Sequence, residues 1–139
     1  MRILFDTNII LDELLIRQPF ALPAAQLMAA VERQQITGFL AGTTITTIHY
    51  VAARAVGTQQ SHREITRLLL LFNIAPVTHQ VLASALSLPF RDFEDAVIHE
   101  AARLADADGI VTRDSADFGQ ATLPVYTPEA LLTLLKTRS

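Results

Sequence analysis

The sequence predicts an α/β fold with a central parallel sheet of about four to five short strands and helices on both faces. Two observations predict it. Short apolar runs alternate with longer segments of helical spacing along the 139 residues, and no Pro/Gly/Ser-rich linker or internal repeat interrupts that alternation. Strands separated by helices are typical of βαβ units and parallel sheets. The length indicates one domain, which we expect to span 1–139.

The strands are predicted from short apolar runs bounded by turn residues. The first run, RILF, ends directly at Asp6, and the second, FLA, lies between two glycines. A later run, DGIVT, ends at Arg113 and Asp114. In chain order, the predicted strands are 2–5, 38–42, 73–77, 108–112 and 123–126.

The helices are predicted from apolar residues at helical spacing together with residues that start or stop a helix. Pro19 ends the first helix, because proline disfavours helix in the residue before it. Pro23 and Pro128 suit the first turns of the second and last helices. In chain order, the predicted helices are 8–16, 22–34, 43–55, 61–71, 80–88, 92–105 and 128–137.

Two of these helices carry cap signals. Threonines at the start of 43–55 can cap that helix, and Gly57 ends it. Ser61 with Glu64 three residues later matches a capping box at the start of the next helix.

Composition and charge exclude several classes of protein. The chain has no cysteine, so disulfides and thiolate zinc sites are excluded. Its longest apolar run, Leu68 to Phe72, is far too short to cross a membrane, and Asp6 interrupts any secretory signal. We therefore expect a cytoplasmic protein without a membrane partner.

The charge balance also limits how this chain could handle a nucleic acid. The net charge is −3, and no run of basic residues occurs. The electrostatic footprint of a stable nucleic-acid binder is therefore missing. If the chain acts on a phosphodiester, a bound cation must supply much of the positive charge.

Acidic residues cluster where the predicted strands and helices begin or end. Asp6 follows the first strand and Asp114 the fourth, so a parallel sheet would place both at one edge. Carboxylates brought together repel one another, and a divalent cation removes that penalty. Oxygen ligands without Cys or a His cluster favour Mg²⁺ or Mn²⁺ over zinc. The pattern indicates metal-assisted hydrolysis. The acids concerned are Asp6, Asp92, Glu94, Asp95, Asp114 and Asp117.

Three segments resemble the PIN-domain ribonucleases, which include the VapC-type toxins of bacterial toxin–antitoxin pairs. They are MRILFDTNIILD, the helix start DAVI, and TRDSADF, in the family's order and across nearly the whole chain. The resemblance implies a three-layer PIN-like fold and cleavage of single-stranded RNA with Mg²⁺ or Mn²⁺. It also implies an antitoxin partner and a homodimer. The residues that it implies are Asp6, Asp95 and Asp114 as catalytic, these three and Asp117 as metal ligands, and Asn8 in support of Asp6.

The chain departs from the family pattern at one position. The family usually has an acid, most often Glu, in the helix after the second strand, where this chain has Thr47. No acid occurs between Glu32 and Glu64. A hydroxyl is a poor substitute for a carboxylate as a ligand of a cation. The departure at Thr47 therefore argues against tight binding of the metal. Glu94 is the residue that could compensate.

Several candidates also have a purely structural interpretation. Asp6 and Asp92 can each cap the helix that follows, with Asp95 completing a capping box after Asp92. Asp114 and Asp117 can form a turn after a strand.

The basic and histidine candidates are weaker. Arg91 and Arg113 each precede candidate acids, and pairing with a carboxylate is favoured over binding of an RNA phosphate. His99 lies one helical turn after Asp95, where it could face the same region.

Two other functions remain open at this point. A degenerate PIN-type domain could bind RNA or a protein without cutting, which the Thr47 departure favours. A phosphoryl-transfer or receiver domain could use Asp6 as its nucleophile. Asn8 argues against that reading, because dehalogenase-type phosphotransferases need an acid two residues after the nucleophile.

Overall fold

The computed structural model describes residues 1–138 and contains five strands, which form one parallel sheet. The final residue of the expected 1–139 domain, Ser139, lies outside the described residues. The strands are β1 (Arg2–Phe5), β2 (Thr37–Ala41), β3 (Asn73–Ala75), β4 (Gly109–Val111) and β5 (Val125–Tyr126).

Seven helices connect and flank these strands within the described residues. They are α1 (Thr7–Leu14), α2 (Ala21–Glu32), α3 (Gly42–Val56), α4 (Thr58–Leu71), α5 (His79–Leu86), α6 (Phe93–Leu104) and α7 (Pro128–Arg138). A short 3₁₀ helix, Ser115–Phe118, follows β4. None of the described helices is both long and apolar enough to cross a membrane.

The sheet order is β3-β2-β1-β4-β5, so the direction of winding reverses between β1 and β4. Ligands of open parallel sheets bind at such a reversal, outside the carboxyl ends of the strands. The order therefore places any ligand site beside Asp6, which follows β1, and the residues that follow β4.

Alternate residues of β1, β2 and β4 enter two separate hydrophobic cores, one on each face of the sheet. Ile3 and Phe5 pack with residues of α1, α2, α3, α4 and α7. Leu4 and Ile110 face the other side and pack with residues of α5 and α6. Helices on both faces are what a parallel sheet requires, because both of its faces must be buried. The predicted three-layer α/β fold is confirmed.

Two details of the predicted helix starts are wrong. Helix α4 begins at Thr58, and Ser61 lies fully buried inside it, with its hydroxyl 2.8 Å from Nδ1 of His49. Helix α3 begins after Ala41 without any side-chain cap. In both places the start of the helix depends on its contacts or connections with other elements. Local cap signals in the sequence contain no information about these. The end of α3 at Gly57 is confirmed, with φ of 90°.

Gly109 gives a test of the packing between β4 and β5. A Cβ atom at this position would lie 2.8 Å from the Tyr126 ring and 3.0 Å from the Pro124 carbonyl oxygen. We expect Gly109→Ala to lower the free energy of unfolding by about 1–3 kcal/mol, because overpacking forces the neighbouring strand to move. Denaturant unfolding measures the change.

Gly42→Ala is the matched control. A Cβ at Gly42 would meet its nearest atom at 3.8 Å, and alanine suits a helix better than glycine. Equal stability of the two alanine variants would contradict the described packing of β4 against β5.

Candidate active site

Asp6 lies at the carboxyl end of β1, where it caps α1. Its side chain is 7% exposed. One carboxylate oxygen accepts from the Thr7 N–H at 2.8 Å, and the other accepts from the Thr112 hydroxyl at 2.8 Å. The structural and functional interpretations of Asp6 are therefore compatible, because the residue that caps α1 also lies where the predicted site would be.

Burial raises the pKa of Asp6 above its ordinary value. The hydrogen bonds from Thr112 and Thr7 oppose this effect, and the negative charges of Asp114 and Glu94 add to it. The ionised form of Asp6 is thus under electrostatic stress that a nearby positive charge would relieve.

Thr112 connects Asp6 to Asp114 at the end of β4. Its buried hydroxyl donates to Asp6 and accepts from the Asp114 N–H at 3.1 Å. Asn8 donates from Nδ2 to a carboxylate oxygen of Asp114 at 3.0 Å. Asn8 therefore contacts Asp114, whereas the resemblance implied support of Asp6, and its buried Oδ1 has no hydrogen-bond partner among the described residues.

Asp95 belongs to the same group of charges, although it lies at the start of α6. Asp92 caps that helix, accepting from the Asp95 N–H at 3.1 Å. Burial, as the largest cause, and the negative charges of Asp6, Asp92, Asp117 and Glu94, in that order, together raise the pKa of Asp95 to about 7. This mutual influence places the starts of α1 and α6 and the turn after β4 in one region.

A cleft of about 740 Å³ opens beside these carboxylates. Asp92, Asp95 and Asp117 line it, whereas Asp6 and Asp114 are not among its lining residues. The other lining residues are Pro89, Phe90, Arg91, Ala116, Gly119 and Gln120. The cleft gives a ligand access to Asp92, Asp95 and Asp117.

The two candidate arginines differ in their surroundings. Arg113 donates from Nε to Asp12 at 2.7 Å, and its guanidinium lies 4.3 Å from the centre of the Phe20 ring. Asp12 is 1% exposed, so this pair ties the end of β4 to α1. Arg91 is exposed and lines the cleft, where an anionic ligand could reach it.

Helix α3 brings hydroxyl groups rather than a carboxylate. Thr44 is fully buried, and its hydroxyl lies 3.0 Å from that of Thr7. The buried Thr43 hydroxyl has no hydrogen-bond partner within 1–138. Thr47 is half-buried, one turn along the same helix.

His99 does not join the carboxylates. It is 1% exposed and contacts Glu100, Phe90 and Thr122. From its position one helical turn after Asp95, His99 was expected to be able to face the same region. In the structure it packs instead on Phe90, which borders the hydrophobic core on the α5 and α6 face of the sheet.

The donors present suit a hard divalent cation, because all of them are oxygen atoms. They are the carboxylates of Asp6, Asp95, Asp114 and Asp117 and the unpartnered Oδ1 of Asn8. Within residues 1–138, no three acidic or histidine side chains are already grouped to hold an ion. The chemistry of the donor set fits a metal, and binding would require these side chains to draw closer.

Sequence reasoning found the acids but missed how threonines organise them. The link from Thr112 to Asp6 and the contact of Thr7 with Thr44 carry no signal of their own in one sequence. Thr112 does stand in the TRD segment, which is the single clue to its position.

Similar folds occur in proteins of known structure. A toxin–antitoxin complex from Klebsiella pneumoniae contains a chain 25% identical to this one, with a TM-score of 0.68, over 90% of this chain and 96% of that chain. FitAcB from Neisseria gonorrhoeae is 22% identical, with a TM-score of 0.69, over 91% and 98%. The toxin VapC20 from Mycobacterium tuberculosis, described as cleaving the sarcin–ricin loop, is 14% identical, with a TM-score of 0.67, over 87% and 98%.

The sequence comparisons give the family. No curated protein matches the chain. The family model of the PIN domain matches residues 2–116, which is most of the 139 residues. The chain belongs to the PIN-domain family.

Proposed function

We propose that this chain is a divalent-metal-dependent endoribonuclease that hydrolyses phosphodiester bonds of single-stranded RNA. The observation that carries the proposal is the convergence of carboxylates at one edge of the sheet, where Thr112 joins Asp6 to Asp114 and the charges of Asp6 and Asp117 help to raise the pKa of Asp95. Carboxylates so crowded favour a cation between them. Family membership supports the same reaction class.

Asp6, Asp95, Asp114 and Asp117 would hold the ion, which we propose to be Mg²⁺ or Mn²⁺. A bound ion supplies positive charge for the phosphate oxygens and a water of lowered pKa. Thr7 and Thr112 fix the two oxygens of Asp6, while Asn8 fixes one oxygen of Asp114. Arg91 lies where it can bind a phosphate of RNA in the cleft.

The biological setting of this activity is a further part of the proposal. We infer that the chain acts in the cytoplasm as the toxin of a toxin–antitoxin pair and forms a homodimer. The likeness to a toxin–antitoxin complex and to a toxin supports the antitoxin partner.

A second function is a PIN-type domain that binds RNA or protein without cleaving. Two observations favour it: Thr47 stands where the family usually has an acid, and the carboxylates within 1–138 are not already grouped around one ion position. The first experiment below separates the two functions.

Cleavage of single-stranded RNA should depend on added Mn²⁺ or Mg²⁺ and on two carboxylates from different elements. We expect Asp6→Asn and Asp95→Asn each to lower the cleavage rate at least about 100-fold, because loss of a ligand should exceed the 10–100-fold effect of outer partners. Glu129→Gln, an exposed acid on α7, is the control and should cleave like wild type.

Cleavage that persists in both asparagine variants would refute the proposed mechanism. Wild-type protein that binds RNA tightly but does not cut it with either metal would favour the binding function instead.

An acid at position 47 should strengthen metal binding. We expect Thr47→Glu to raise the affinity for Mn²⁺ about tenfold, because a carboxylate adds charge where α3 has a hydroxyl. Thr46→Glu is the matched control, since it adds the same charge at the exposed neighbouring position. Isothermal titration calorimetry measures both. Equal affinities of the two variants would show that position 47 does not face the ion.

The metal-free protein should be destabilised by ionisation of Asp95. The pKa of Asp95 is about 7 in the folded protein, mainly through burial, against 3.8 as its ordinary value. The unfolded chain therefore loses this proton first, so the group's contribution to stability falls as the pH rises from 3.8 to about 7.

Replacement of the Asp95 carboxylate makes this pH dependence of stability measurable. The stability gained by Asp95→Asn over wild type should grow with pH across that window, in denaturant unfolding with a chelator present. A gain that stays constant between the two ends of the window would contradict the described crowding. Added Mn²⁺ should stabilise the wild type and leave the variant nearly unchanged.

A further inference from the structure

The cleft beside the carboxylates has two walls, which come from separate parts of the chain. The first wall is 89–92, ahead of α6, and the second wall is 116–120, after β4. Asp95, in the first turn of α6, also lines the cleft, and Asp117 belongs to the second wall. The distance between these acids therefore depends on what holds the two walls together.

His99 contacts a residue on or next to each wall. Its ring packs on Phe90 of the first wall, with 5.3 Å between ring centres. Its Nε2 accepts from the backbone N–H of Thr122, just beyond the second wall, at 3.1 Å. Phe90 also packs edge-on against Phe118, at 5.9 Å between ring centres. These four residues link the two walls: His99 and Phe118 are buried, Phe90 is half-buried and Thr122 is exposed.

The hydrogen bonds of His99 specify which of its ring nitrogens carries the proton. Because a backbone N–H can only donate, Nε2 must be the acceptor and Nδ1 carries the hydrogen. Nδ1 lies 2.9 Å from Oε2 of Glu100, which accepts that hydrogen. Glu100 is in turn held by Arg103, with 2.8 Å between Nη2 and Oε1. The ring is thereby fixed in one orientation, with its acceptor directed at Thr122.

We propose that His99 is a positioning residue that sets the separation of the two cleft walls, and with it the separation of Asp117 from Asp95. His99 contacts none of the candidate ligands and takes no part in chemistry. The inference rests on the proposed function in assigning Asp95 and Asp117 to one ion.

Two pairs of variants test the link from both ends. His99→Leu keeps an apolar side chain of similar reach but has no acceptor, whereas the carbonyl of His99→Gln can accept from Thr122 near the position of Nε2. Thr122→Pro removes the backbone N–H itself, whereas Thr122→Val keeps it. The second pair changes an exposed residue, so it remains informative if His99→Leu does not fold.

The measurements are amide hydrogen exchange over 116–122 in the metal-free protein, Mn²⁺ affinity by calorimetry, and KM and kcat for RNA. We expect His99→Leu and Thr122→Pro to speed exchange and to weaken Mn²⁺ binding about tenfold or more, as loss of an outer partner does. His99→Gln and Thr122→Val should stay close to wild type in both.

Faster exchange with unchanged Mn²⁺ affinity in His99→Leu and Thr122→Pro would overturn the inference, as would unchanged exchange. Wild-type protein that binds Mn²⁺ without cutting RNA would refute the proposed function alone. If His99→Leu leaves both the RNA cleavage rate and the Mn²⁺ affinity unchanged, the inference alone is refuted. Wild-type protein that binds no Mn²⁺ would overturn both.

Discussion

The burial of Asp6 at the carboxyl edge of the sheet is the constraint on which the site depends. A buried carboxylate is costly unless hydrogen bonds and positive charge compensate it. Thr7 and Thr112 each satisfy one oxygen, and these donors come from α1 and from the end of β4. The hydrogen bonds fix the position of Asp6, but they supply no positive charge. The neighbouring acids increase the demand for it.

The topology explains why these acids meet although they are distant in sequence. The sheet reverses its winding between β1 and β4, so the turns after both strands lie side by side. The start of α6 approaches the same edge and brings Asp95 under the influence of Asp6. Arg113 anchors the turn after β4 to α1 through Asp12, and its guanidinium lies 3.9 Å from a carboxylate oxygen of Asp114. A rigid frame thus surrounds a group of like charges.

Much of this arrangement could be predicted from the sequence, because it follows from periodicity and strand ends. The alternation of strands and helices gave the α/β class, and the rule for parallel sheets placed Asp6 and Asp114 at one edge. The strand order, the start of α4 at Thr58 and the double role of Thr112 could not be predicted. Each depends on a tertiary contact, such as the one between Ser61 and His49, that no local pattern contains.

The most direct test of this account is the location of Mn²⁺ by anomalous diffraction from crystals of the wild-type protein. The account predicts an ion bound by carboxylate oxygens of both Asp6 and Asp95 at the carboxyl edge of the sheet. Manganese bound elsewhere, or bound to one of these residues without the other, would contradict it.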